Sequence, residues 1–210
     1  MENWLGKSFS AQGRAAASVL FVVLAAGCAS PGPEKVKNAI NEINEVFRKQ
    51  YEAILAQKGT RVFPVRQDAA LPAVRTALFQ LGMHLESQDA GLGYLSFAAL
   101  APRPLNLQEW SEVSHADLPM MRAIAARNVG LIPSWFISFE PEGLEIALNA
   151  TVIPAGAGSE ISLTMRMRQV TAPPSGMPRR EYAPPTGVHM GLDKIWAQIE
   201  RELGVRGRAP

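Results

Sequence analysis

Apolar and polar positions recur with two different periods along the chain, and the order of those periods predicts its elements. Residues 34–59 carry Val36, Ile40, Ile43, Phe47 and Ile54 at spacings of four, three, four and seven, which puts them on one side of an amphipathic helix ending near Gly59. Acids gather early (Glu34, Glu42, Glu45) and bases late (Arg48, Lys49, Lys58), the sense that the helix dipole favours. Such a stripe packs back on its own domain, or it docks on a partner or a second copy. Gln50 interrupts the seam a coiled coil would need.

From Thr60 the two periods alternate. "RVFPV" reads as a short strand, and residues 67–82 as a helix with Asp68 as candidate N-cap, Leu71, Val74, Leu78 and Leu81 as its stripe, and Gly82 as its stop. "MHLES" and "YLSFAALA" read as strands joined by the turn "QDAGLG". Residues 105–128 return to helix in two pieces. Asn106 and Glu109 form a capping box for the first, and Asp117, Leu118 and Pro119 start the second. Trp110, Val113, Leu118, Met121 and Ile124 are the apolar members of this insertion, which either packs on the sheet or forms a lid for a partner.

Three strands are predicted between Ser134 and Val170, joined by "EPEG" and "PAGAGS". Leu144, Ile146, Leu148 and Val152 share one face of the middle strand, and Ile161, Leu163, Met165 and Met167 one face of the last. Pairing Val152 with Ile161 sets Leu148 against Met165 and Ile146 against Met167, so every inward residue meets another. The same register opposes Glu145 to Arg168 and Asn149 to Thr164 on the other face. After a proline-rich loop, Val188, Leu192, Ile195, Ile199 and Leu203 mark a last helix stopped by Gly204, and residues 205–210 are expected to be a flexible tail. Antiparallel hairpins with helices gathered on one face make an α+β two-layer sandwich over residues 60–204, preceded by the amphipathic helix. Ser162, Thr164, Arg166, Arg168, Asn149 and Glu145 make its other face polar, either simply solvated or used by a partner.

Composition changes this picture in two places. The 21 basic and 19 acidic residues nearly balance and form no long run, so no nucleic-acid partner is expected. Cys28 is the only cysteine, which excludes an internal disulfide and asks for another reason to be there. Lys7 and Arg14 precede an uncharged, apolar or small run from Ala15 to Ala26, the order of parts in a secretory signal. Twelve helical residues span about 18 Å, short of the roughly 30 Å hydrocarbon core, so residues 1–27 read as a signal peptide and not a spanning helix. Residues 28–33, through "ASPGP", cannot form regular structure and read as a tether.

Leu24, Ala25, Ala26, Gly27 and Cys28 together resemble the lipobox of bacterial lipoproteins. The resemblance implies diacylglycerol on the Cys28 thioether and a further acyl chain on its amine. Ala29, in place of an aspartate, implies the outer membrane, facing the periplasm. Beyond the leader, "FPVRQDAALPAVRTALFQLGMHLESQDAGLGYLSF", "GLEIALNATVIPAGAGSEISLTMRMRQV" and "PTGVHMGLDKIWAQIERELG" resemble a broad group of uncharacterised bacterial lipoproteins. The domain plan of that group is similar to that of the C subunit of the β-barrel assembly machine. Many of the group carry a cysteine before the last helix, where this chain has "APPTG". The resemblance implies a periplasmic accessory or interaction domain.

No nucleophile elbow, zinc-protease pair, P-loop or dinucleotide fingerprint occurs. His84, His115 and His189 are far apart in sequence, and a metal site would need them to converge with Asp117 or Asp193. No catalytic residue, metal ligand or cofactor is expected apart from the covalent lipid on Cys28. Two functions remain. The first is a non-enzymatic lipoprotein, held at the membrane by its anchor, that binds another envelope protein through Val36, Ile40, Ile43, Phe47, Trp110, Met121, Arg166 or Arg168. The second is a binder of lipid or cell-wall fragments, with a cleft near Trp110 and Trp135.

Overall fold

The strictest alternation in the sequence builds the middle of the sheet. In a computed structural model of the chain, which describes residues 31–173 and 175–208, two twelve-residue strands, β4 (Leu144–Ala155) and β5 (Gly158–Gln169), form a long hairpin. Its register has Val152 opposite Ile161, Leu148 opposite Met165, Ile146 opposite Met167, and Glu145 opposite Arg168. One face of the hairpin is fully buried, and the other alternates between half-buried and exposed, as a period of two requires when only one side is covered.

Three shorter strands complete an antiparallel sheet of order β1-β5-β4-β3-β2: β1 (Thr60–Phe63), β2 (His84–Asp89) and β3 (Tyr94–Leu100). The β2–β3 turn is tucked under β4. Gly93 has φ +66°, its carbonyl accepts from the Val152 N–H at 2.8 Å, and a Cβ there would fall 1.9 Å from the Val152 oxygen. Only glycine tolerates both conditions. The two sheet edges are protected differently. β2 is polar and bulged between Leu85 and Ser87, which discourages pairing with another chain. On the other side β1 covers only Ser159–Ser162 of β5. Further along that edge the Gly59 carbonyl accepts from Leu163 N, and Gln169 Oε1 accepts from Arg180 N. Asn44 secures that returning segment, donating to Arg179 O and accepting from Glu181 N.

Five helices lie with the apolar face: α1 (Pro33–Lys58), α2 (Gln67–Gln80), α3 (Leu107–Val129), the single turn α4 (Leu131–Ser134) and α5 (Pro185–Leu203). α2 and α5 rest on β4 and β5, while α1 and α3 pack on each other and on α5. Trp196 of α5 is fully buried and donates its indole N–H to Lys58 O at 2.7 Å, tying the end of α1 to the centre of the core. Gly187 approaches Val113, and Gly191 approaches Met165 closely enough that a Cβ would sit 2.8 Å from its methyl carbon. The small residues on that face of α5 let it come down onto α3 and β5.

Several expectations are corrected. Asp68 is not an N-cap: α2 starts at Gln67 after Arg66, and Asp68 lies in the first turn without a capping bond. The insertion is one helix, α3, running through Pro119; it lies against α1 and α5, and its Trp110, Val113 and Met121 join the same core as the inward face of the sheet. Asp117 therefore starts nothing on its own helix. It is buried and accepts from both the N–H (2.9 Å) and the hydroxyl (2.8 Å) of Thr186, capping α5, whose own N-cap residue, Pro184, offers no side-chain acceptor. The stretch predicted as a strand at residues 134–139 forms no strand; it follows α4 as irregular chain. The tail is pinned as far as Arg208, whose backbone bonds Val62 in both directions (2.7 and 2.9 Å) while Gly207 N–H reaches Glu200. The signal peptide 1–27, Cys28 and the first part of the tether lie outside the described residues.

Candidate functional site

The apolar stripe of α1 is used inside the molecule. Phe47 is 1 % exposed, Trp110 4 % and Met121 5 %, so these three expected partner contacts are core residues. Ile43 packs against the same core, and Val36 and Ile40 are half-buried. A stripe at helical spacing says that a face is buried but not against what. Tyr51, absent from the predicted stripe, is buried beside Tyr182 with ring centroids 5.8 Å apart. Burial pushes its phenol up, and Arg166 and the Met165 N–H partly offset this.

What the fold leaves uncovered is the second face of the sheet. Read across β2 to β5, its rows are His84, Ala98, Ala147 and Arg166; Ser87, Ser96, Asn149 and Thr164; and Asp89, Tyr94, Thr151 and Ser162, the last meeting Thr60 of β1. Tyr94 donates to Asn149 Oδ1 at 2.9 Å, and the hydroxyls of Thr60 and Ser162 are 3.0 Å apart. Arg168 bridges two carboxylates, bonding Glu145 beside it and Glu86 of the β2 bulge at 3.1 Å. Glu145, and behind it Glu86, push the Arg168 guanidinium further up from its already basic value, so that it stays charged. Arg166 and Thr164 remain exposed. This flat, hydrogen-bonded surface can recognise a complementary polar surface. Glu86 and Tyr94 were not expected on it; Glu86 sits in the bulge between Leu85 and Ser87.

Several titratable groups are engaged elsewhere in the fold. Lys58 holds Asp193 at 2.7 Å, and Thr186 holds Asp117. His115 bonds its own helix at Ser111 O (2.7 Å), and His84 lies on the open sheet face. Among the described residues no group of three His, Cys, Asp or Glu side chains converges as a metal site would require. Trp110 stacks on Phe139 with centroids 5.6 Å apart and donates to Phe139 O at 3.0 Å, beside an open depression of about 310 Å³ that also takes in Leu107, His115 and Leu118. Trp135 borders a different one of about 450 Å³ with Arg122 and Leu131. Neither of these two depressions is lined by both tryptophans.

Comparison with protein-family models, with curated proteins and with solved structures finds no match to this chain.

Proposed function

We propose that the chain is a lipid-anchored accessory subunit of the bacterial outer membrane, facing the periplasm, held by acyl chains on Cys28 and offering its open sheet face to another envelope protein. The observation that carries this reading is the division of surfaces. Most of the stripes of α1 and α3, from Ile43 to Ile54 and at Trp110, Val113 and Met121, is taken up by the domain's own core, while the polar sheet face keeps Thr164, Arg166 and Arg168 exposed. The anchor is supported by "LAAGC" and the charged and apolar segments before it. In this reading the protein acts by binding and performs no reaction. A ligand-binding role draws less support, because the depressions at Trp110 and Trp135 are separate and open, where a small-molecule site is enclosed.

The test is copurification from detergent-solubilised envelopes of the native chain and a Thr164→Lys/Arg166→Glu double variant. Both positions are exposed on β5, but Arg166 also acts on the Tyr51 phenol, so a Thr164→Lys single variant is run beside the double one: the single variant should melt unchanged while a stoichiometric partner is lost. A variant that keeps the partner would remove the sheet face from the proposal. An unacylated amino-terminal peptide would remove the anchor.

A further inference from the structure

Four of the large exposed apolar residues among those described fall in the turn that follows α3. Leu131, Ile132, Trp135 and Phe136 are 72, 64, 73 and 83 % exposed. Their outward position is built. Ser134 Oγ donates to Leu131 O at 2.6 Å, the N–H groups of Trp135 and Phe136 reach Ile132 O and Pro133 O at 3.2 Å, and the Arg122 guanidinium donates to Trp135 O at 3.2 Å. A few residues on, Trp110 and Ser114 both donate to Phe139 O, which clamps the far side. Single exposed apolar residues are ordinary, but four large ones in six positions mark a surface that meets something apolar.

Charge and position identify what it meets. From Leu118 to Phe139 there is no carboxylate, and the only charges are Arg122 and Arg127. Arg127 is taken by Glu42, whereas Arg122 bonds only a backbone carbonyl among its described contacts. Trp and Phe with aliphatic neighbours beside an unneutralised arginine is the composition of a bilayer interface contact. The position follows from the pairing of α1 with α3. Arg127 and Asn128 meet Glu42, and Gln50 meets Met120, so the helices run antiparallel and the turn leaves α3 beside the amino-terminal half of α1. α1 begins at Pro33, five residues after Cys28, and five residues reach at most about 18 Å. We infer that the Leu131–Phe136 turn is a second membrane contact, seating Leu131, Ile132, Trp135 and Phe136 in the interface of a phospholipid bilayer. Its location rests on the proposed anchoring at Cys28; its chemistry does not. Acyl chains alone hold a protein at a membrane without fixing its orientation. A rigid apolar turn at the same end of the domain supplies the second point that sets which way the open sheet face looks.

The experiment uses the native chain and a Trp135→Phe variant on vesicles of phosphatidylethanolamine and phosphatidylglycerol brominated on their acyl chains, reading tryptophan emission. With a Trp4→Phe change in the leader of both chains, and Trp110 and Trp196 buried, the chain that keeps Trp135 should lose emission on these vesicles and the Trp135→Phe variant should not. A Leu131→Ser/Phe136→Ser variant should shrink the quenching. Quenching equal in the native chain and the Trp135→Phe variant would overturn the inference. So would a blue-shifted, unquenched Trp135 accompanied by dimer sedimentation, which would assign the turn to a second copy of the chain. The mass of the amino-terminal peptide from the same sample separates the two readings. Trp135 quenched in a chain without acyl groups would sink the anchor and keep the turn as a membrane contact; an acylated chain with Trp135 unquenched would sink the turn alone.

Discussion

The β4–β5 hairpin and the segment from Leu131 to Phe139 are both rich in large apolar residues, and the hairpin and residues 134–139 of the segment were expected to be strands. In the hairpin the large apolar residues alternate from Leu144 to Val152 and from Ile161 to Met167, and each of them lands in the core; Ile153, next to the turn, is exposed. In the segment, Trp135, Phe136 and Ile137 follow one another without alternation, and a pleated strand would have to send at least one of them into water whichever face it buried. No strand forms; Phe139 is buried against Trp110, and Trp135 and Phe136 project outward. Apolar content predicts that a segment meets something apolar, while its period decides whether that partner is the chain's own core.

The comparison can be broken most directly by truncating one residue from each region. Leu148 is fully buried and Phe136 almost fully exposed. Leu148→Ala should cost about 2–5 kcal/mol through lost burial and the cavity left behind. Phe136→Ala should stay within about 0.5 kcal/mol of the native chain in solution. Denaturant melts of the two variants without membranes check both; a large loss from Phe136→Ala would mean that the turn supports the fold and is not held out for another surface.

The same contrast explains what could be read in advance. The hairpin register was legible residue by residue, because two alternating strands of matched length leave one pairing that sets inward residue against inward residue along both strands. The Asn106–Glu109 capping box was legible because both its bonds lie within one turn of chain, and the structure shows them at 2.7 and 2.9 Å. Asp117 was misread for the opposite reason: "DLP" looks like a helix start, and its true partner, Thr186, lies 69 residues away. Pro119 did not end the helix, since the packing of Val113, Met121 and Ile124 on either side outweighs the bond it removes. Gly130 and Pro133 were the available signal that the 134–139 stretch begins with a turn. On the open face, Arg166 and Arg168 followed from alternation, but the Glu86 contact depends on a bulge that alternation cannot express.

A smaller effect tests the join between the two regions. Asp117 links α3, which carries the Leu131–Phe139 segment, to α5, which rests on β5. Asp117→Ala should cost about 1 kcal/mol as a lost cap and should speed amide exchange in α3 before it does so in the hairpin. Burial pushes the Asp117 carboxyl above its ordinary value of 3.8, with the two Thr186 donors and the His189 charge partly offsetting it. A carboxyl raised on folding binds its proton more tightly in the folded state. Its contribution therefore favours folding as pH falls through the raised value towards 3.8 and is lost as pH rises. Relative to Asp117→Asn, which cannot titrate, the native chain should gain thermal stability on acidification across that window. A native advantage that grows with rising pH would mean that the charge on the cap outweighs its burial.

The smallest effect is expected on the open face of the hairpin itself, and its smallness is informative. Arg168 bridges Glu86 and Glu145 across β2, β4 and β5, but its side chain is more than half exposed, and water screens such pairs. Arg168→Ala should change stability by no more than about 0.5 kcal/mol, far less than Leu148→Ala one strand away. If the face binds a partner, the same substitution should nevertheless weaken that complex, because it leaves Glu86 and Glu145 without their shared cation and makes the local charge more negative. Salt separates the two roles: the stability difference should vanish at high ionic strength, while a partner contact that desolvates Arg168 should lose affinity on substitution at low and high salt alike. A stability loss of several kcal/mol would instead make the bridge part of what holds β2 on the sheet, and the two faces of the hairpin would then differ less than their burial implies.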